Sequence, residues 1–98
     1  MPYKIIFTPQ ASDDVIKLQK SCPEAISKLA KLLDELKEHP RTGTGKVERL
    51  KHYSNETWSR RITHEHRLVY QIHDAVIEVL VISTYGHLVI ISFAIAFI

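Results

Sequence analysis

Glu48, Arg67 and His87, with Lys46, Lys51 and Arg61 nearby in the sequence, are the side chains of this chain that could cut RNA. RNA can be cut without a metal when its own 2′-OH attacks the neighbouring phosphate. The reaction then asks for a base to take the hydroxyl proton, cations around the crowded phosphate, and an acid for the departing 5′-oxygen. Each residue also has a plainer use. A strand carboxylate such as Glu48 is more often solvated and paired with a neighbouring base than catalytic. Arg60 and Arg61 are adjacent, so on a strand they point to opposite faces and only one can join Arg67. His64 and His66 sit at i, i+2, but no third ligand is spaced to complete a zinc site, so neither a metal nor a cofactor is expected. Trp58 and Tyr70 could stack on bases, although aromatic residues in strands usually serve the core.

The elements that must position these groups can be read from the 98 residues. Tyr3 to Phe7 predicts a first strand, ended by Thr8-Pro9, a pair that caps a helix and starts it. That helix carries Ala11, Val15, Leu18 and Cys22 on one face, with Asp13, Asp14, Lys17 and Lys20 turned outward. Ser21 and Pro23 repeat the capping signal. A second helix runs from about Glu24 to His39 with Ile26, Leu29, Leu33 and Leu36 as its apolar stripe, and Pro40 stops it. Thr42-Gly43-Thr44-Gly45 reads as a turn. Strands are predicted at Val47–Lys51, Thr57–Thr63, His66–Asp74 and Val76–Thr84. In the third of these Leu68, Tyr70 and Ile72 alternate with Arg67, Val69 and Gln71, which turns Arg67 away from the apolar face. The order gives an α+β fold, with an N-terminal strand and a helical hairpin packed on an antiparallel sheet.

Composition bounds the rest. Hydrophobic residues make up 45% and charged residues 24%, the balance of a folded domain rather than a disordered chain. A net charge of +2 does not announce a nucleic-acid binder, but its distribution is uneven. From Arg41 to Arg67 seven basic residues face three acidic ones. A lone Cys22 and the lack of a signal-peptide layout set the expectation of a reducing cytoplasm. Leu88 to Ile98 is almost wholly apolar and uncharged, yet too short to span a bilayer, which needs about 20 residues. No membrane role is expected. Residues 1–87 therefore read as the domain and 88–98 as an atypical apolar tail.

The stretch Gly-Lys-Val-Glu-Arg-Leu-Lys-His (45–52), followed by Trp-Ser-Arg-Arg-Ile-Thr-His-Glu-His-Arg-Leu-Val-Tyr (58–70), resembles the signature of the Txe/YoeB toxins, members of the RelE-like superfamily. The resemblance extends more loosely over residues 3 to 87. It implies a RelE-like fold and a type II toxin-antitoxin toxin that cleaves mRNA in the ribosomal A site and inhibits translation. On the matched positions Glu48 stands where the family has its general base, Arg67 where an arginine stabilises the scissile phosphate, and His87 where a C-terminal histidine acts. Lys51 and Arg61 match further basic positions that hold RNA or rRNA, and Lys46 joins them as a candidate RNA- or phosphate-binding residue. The implied partners are a YefM/Axe-like antitoxin, the ribosome and mRNA, operator DNA only through the antitoxin complex, and a second copy of the chain.

One position departs from the pattern. The family places a tyrosine after the histidine, whereas this chain has Leu88. Leucine cannot donate a proton or hydrogen-bond a phosphate. The departure sets the expectation of weakened or lost cleavage with the fold and antitoxin binding kept, and with it an alternative: a homologue that binds antitoxin or ribosome without cutting.

Overall fold

The structure, a computed structural model, describes residues 2–86; His87 and the 88–98 tail lie outside the described residues. Strand β1 (Lys4–Phe7) leads into helix α1 (Pro9–Ser21) and helix α2 (Ala25–Glu38). A meander follows: β2 (Glu48–Leu50), β3 (Thr57–Arg61), β4 (Arg67–His73), a short 3-10 turn at Asp74–Val76, and β5 (Glu78–Ser83). Thr8 caps α1 by accepting the Ala11 N–H at 3.0 Å, with Pro9 in the first turn.

The five strands lie in the order β1-β5-β4-β3-β2. The meander pairings are antiparallel, as expected, but β1 runs parallel to β5 with Lys4 opposite Glu78. The sheet is therefore mixed. Tight turns force antiparallel pairing only between consecutive strands, and the helical hairpin stands between β1 and the rest. The two helices cover one face. Leu68, Tyr70 and Ile72 of β4 and Val79 and Val81 of β5 form a core with Ala11, Leu18, Ala25, Leu29, Leu32 and Leu36.

Three helical details differ from the sequence reading. Asp14 is buried rather than outward, because its carboxylate accepts the Thr84 N–H at 3.2 Å and the Gln10 amide at 2.8 Å. The inner stripe of α2 is Ala25, Leu29, Leu32 and Leu36, while Ile26 and Leu33 flank it half-buried. Ser21 does not cap α2; it ends α1, and its hydroxyl donates to the Lys17 carbonyl.

The loop between α2 and β2 is pinned from inside. Arg60 is fully buried on the helix side of β3, and its guanidinium donates to Glu35 Oε1 (2.8 Å), the His39 carbonyl (2.6 Å), the Thr42 carbonyl (2.7 Å) and Tyr70 Oη (3.0 Å). Tyr70 in turn donates to the Pro40 carbonyl at 2.7 Å. Gly43, at φ +131°, lies so close to this cluster that an added Cβ would run into Glu35 and Arg60. At the opposite end of β3, Arg41 forks onto Glu56 and also reaches Asp74. Among the described residues no helix is long and apolar enough to cross a membrane.

Candidate active site

The register of the meander decides which polar side chains share a face. Glu48 lies opposite Ser59, Ser59 opposite Val69, and Arg61 opposite Arg67. Glu48, Ser59, Arg61 and Arg67 therefore occupy the sheet face away from the helices, whereas Arg60, opposite Leu68, faces them. The choice the sequence left open between Arg60 and Arg61 is settled by this register.

Arg67 is the centre of the group. It is only 7% exposed, and two of its N–H groups are committed, Nε to Ser59 Oγ at 3.1 Å and Nη2 to the Lys46 carbonyl at 2.9 Å. Among the described residues no carboxylate comes within 4 Å of it. Burial pushes its guanidinium below the usual value, the Glu48 charge opposes that shift, and the Arg61 charge adds to it. A buried cation lacking a bonded counter-charge is expensive, and such groups mark places where an anion completes the site. Arg60 makes the contrast: equally buried, it is neutralised by Glu35.

The Gly45-Lys46 turn builds the wall behind Arg67. Gly45 takes φ +92°, its carbonyl accepts the Arg61 N–H, and an added Cβ would lie 2.9 Å from the Arg61 carbonyl oxygen. Lys46 follows at φ 49°, an uncommon conformation for a side-chain-bearing residue, which aims its carbonyl at Arg67. The backbone of Lys46 is thus structural here, and its side chain is exposed. Glu48 is exposed and Arg61 partly so. Lys51 stands in the turn after β2, beyond the Leu50–Thr57 pair and so away from the Arg61–Arg67 row. It borders a polar hollow of about 350 Å³ lined by Arg49, Tyr53 and Asn55.

Sequence reasoning did not single out Ser59 as the anchor of Arg67, though its i, i+2 spacing from Arg61 placed it on the right face. It weighed His66 only as a metal ligand, whereas its ring accepts the Gly86 backbone N–H at 3.0 Å. Trp58 packs partly buried at the core edge and donates to Glu56 at 2.7 Å, and Tyr70 is fully buried core, so its ring is closed to a stacked base. An apolar groove of about 370 Å³ between the helices, lined by Phe7, Val15, Ile26 and Leu33 among others, carries no titratable group and lies across the sheet from Arg67.

Residues 7–87 match the family described as the YoeB-like toxin of bacterial type II toxin-antitoxin systems. Toxin YoeB of Escherichia coli (strain K12) is 39% identical over 71 residues, covering 72% of this chain and 84% of that protein. The YoeB dimer from Staphylococcus aureus superposes with a TM-score of 0.76 at 34% identity, covering 89% of this chain and 99% of that one. The YoeB-YefM complex from the same organism gives a TM-score of 0.72 at the same identity and coverage. With a family match spanning the whole meander that carries Glu48, Arg61 and Arg67, the chain belongs to the YoeB family of type II toxin-antitoxin toxins.

Proposed function

We propose that this toxin is a ribosome-dependent endoribonuclease that cuts mRNA in the A site and thereby inhibits translation in the cytoplasm. The observation that carries the reading is Arg67: a nearly buried cation with no carboxylate bonded to it among the described residues, beside Arg61 and a carboxylate, on the sheet face away from the helices. A phosphodiester supplies the missing anion, and buried donors stabilise its added transition-state charge better than solvated ones.

In the proposed reaction Glu48 takes the proton of the 2′-OH, the freed oxygen bonds to phosphorus, and the P–O5′ bond breaks. His87 gives the 5′-oxygen its proton, leaving a 2′,3′-cyclic phosphate and a 5′-hydroxyl. Arg67, with Arg61, holds the phosphate oxygens throughout. Lys46 and Lys51 hold flanking RNA by charge. No metal is required, because the nucleophile belongs to the substrate. The S. aureus YoeB-YefM complex and YoeB dimer support a YefM-like antitoxin and a second copy of the chain as partners. Operator DNA is reached through the antitoxin.

Induction with and without antitoxin, with mRNA ends mapped on ribosomes, tests this. Antitoxin-reversible arrest with A-site cuts, lost in Glu48→Gln, is the expected result; arrest without cuts overturns it. A second reading, a homologue that binds without cutting, rests on Leu88 in place of the family tyrosine. It requires an inert folded chain that gains cleavage when residue 88 becomes tyrosine and the chain stops there.

A further inference from the structure

We propose that His66 is a positioning residue: its imidazole ring seats the Tyr85-Gly86 turn against β4, where the turn's backbone meets that of Arg67. The idea rests on the nuclease reading for its functional consequence, but its geometry lies wholly in described residues.

The contacts are specific. The Gly86 N–H donates to His66 Nδ1 at 3.0 Å, and the Tyr85 ring stacks on the imidazole with centroids 4.5 Å apart and an angle of 28°. The Gly86 carbonyl accepts the Arg67 N–H at 3.1 Å, which brings the same turn to the arginine at the centre of the site. His66 itself is fixed by a tight loop: its carbonyl accepts the N–H groups of Ile62 and Thr63, and its N–H donates to Thr63 Oγ1. One residue before Tyr85 the Asp14 carboxylate holds the Thr84 N–H. Thr84 to Gly86 is thus held from α1, from the His66 ring and from the Arg67 backbone. Gly86 sits at φ +96°, a backbone conformation that calls for glycine.

Because Nδ1 accepts, that nitrogen carries no proton, and its lone pair points at one backbone group. This makes the role chemically testable. The amide oxygen of asparagine can occupy the place of Nδ1, glutamine reaches the place of Nε2 instead, and phenylalanine keeps the stack without an acceptor.

The experiment uses the full chain, labelled with ¹⁵N, and follows hydrogen exchange at the Gly86 amide alongside kcat and KM for cleavage of ribosome-bound mRNA. In His66→Phe and His66→Gln, Gly86 exchange rises about tenfold, the loss of one hydrogen bond. The amides of β4 stay protected, kcat falls, and KM holds. His66→Asn restores both Gly86 protection and kcat. Gly86 protection unchanged in His66→Phe, or rescue by Gln as good as by Asn, overturns the proposal. A wild-type chain that cuts no mRNA while Gly86 exchange follows the stated order supports the seat and overturns the nuclease reading alone.

Discussion

Arg60 and Arg67 are two buried arginines seven residues apart in one sheet, and replacing each by methionine should have opposite consequences. Arg67→Met removes two charge-assisted hydrogen bonds, to Ser59 and the Lys46 carbonyl, each worth about 1.5–3 kcal/mol. It also relieves the burial of a cation lacking a bonded counter-charge, a penalty of several kcal/mol. The two terms offset to within about 1 kcal/mol, so Tm should move by less than about 8 °C. Arg60→Met leaves the Glu35 carboxylate with only its Thr44 bonds, and takes their arginine donor from two loop carbonyls and from the Tyr70 hydroxyl, which keeps its bond to Pro40. Breaking a buried pair from one side costs about 3–5 kcal/mol, and partly exposed Glu35 points to the lower end. About 3 kcal/mol lowers Tm by about 12–24 °C. In the cleavage assay the order reverses: Arg67→Met loses on the order of 10²–10³ in rate, as when a transition-state donor is removed. Thermal unfolding followed by circular dichroism, with the same samples assayed on programmed ribosomes, separates the two. If Arg67→Met melts as low as Arg60→Met, or cuts like wild type, the distinction between a structural and a substrate-directed arginine is wrong.

Three further outcomes are expected. Gly43→Ala should lower stability by about 1–3 kcal/mol, since it strains a left-handed backbone and pushes a Cβ into the Glu35–Arg60 pair; denaturant melts read this directly. The carboxyls of Glu56, bonded to Arg41, and of Glu35, bonded to Thr44, are held below their ordinary 4.5 in the folded chain. Their stabilisation is therefore present above about pH 4.5 and lost as pH falls through that value and below, and Arg41→Met should make the fall of Tm between about pH 5 and 3 shallower. The hydrogen bond to Glu24, together with burial, holds the Cys22 thiol above 9.0, so alkylation at pH 8.5 should run slower than for a free thiol and speed up in Glu24→Ala.

Periodicity and punctuation alone determined much of this protein. The Thr8-Pro9 cap, the Pro40 stop and the alternation of Leu68, Tyr70 and Ile72 against Arg67 are local, because a side chain's face follows from its parity along one strand. The resemblance across residues 45–70 carried the family with it. What tertiary structure decided is whatever depends on how separate segments meet. Asp14 reads as a surface residue from helical spacing, and only the arrival of the Thr84 N–H turns it inward. Strand parity divides Arg60 from Arg61, but only the β3–β4 register shows which one faces the helices and finds Glu35. Neither the parallel pairing of β1 nor the meeting of Gly86 with His66 and Arg67 is written in any window of sequence. Both arise from contacts between residues 19 or more positions apart, whose geometry the packed sheet alone supplies.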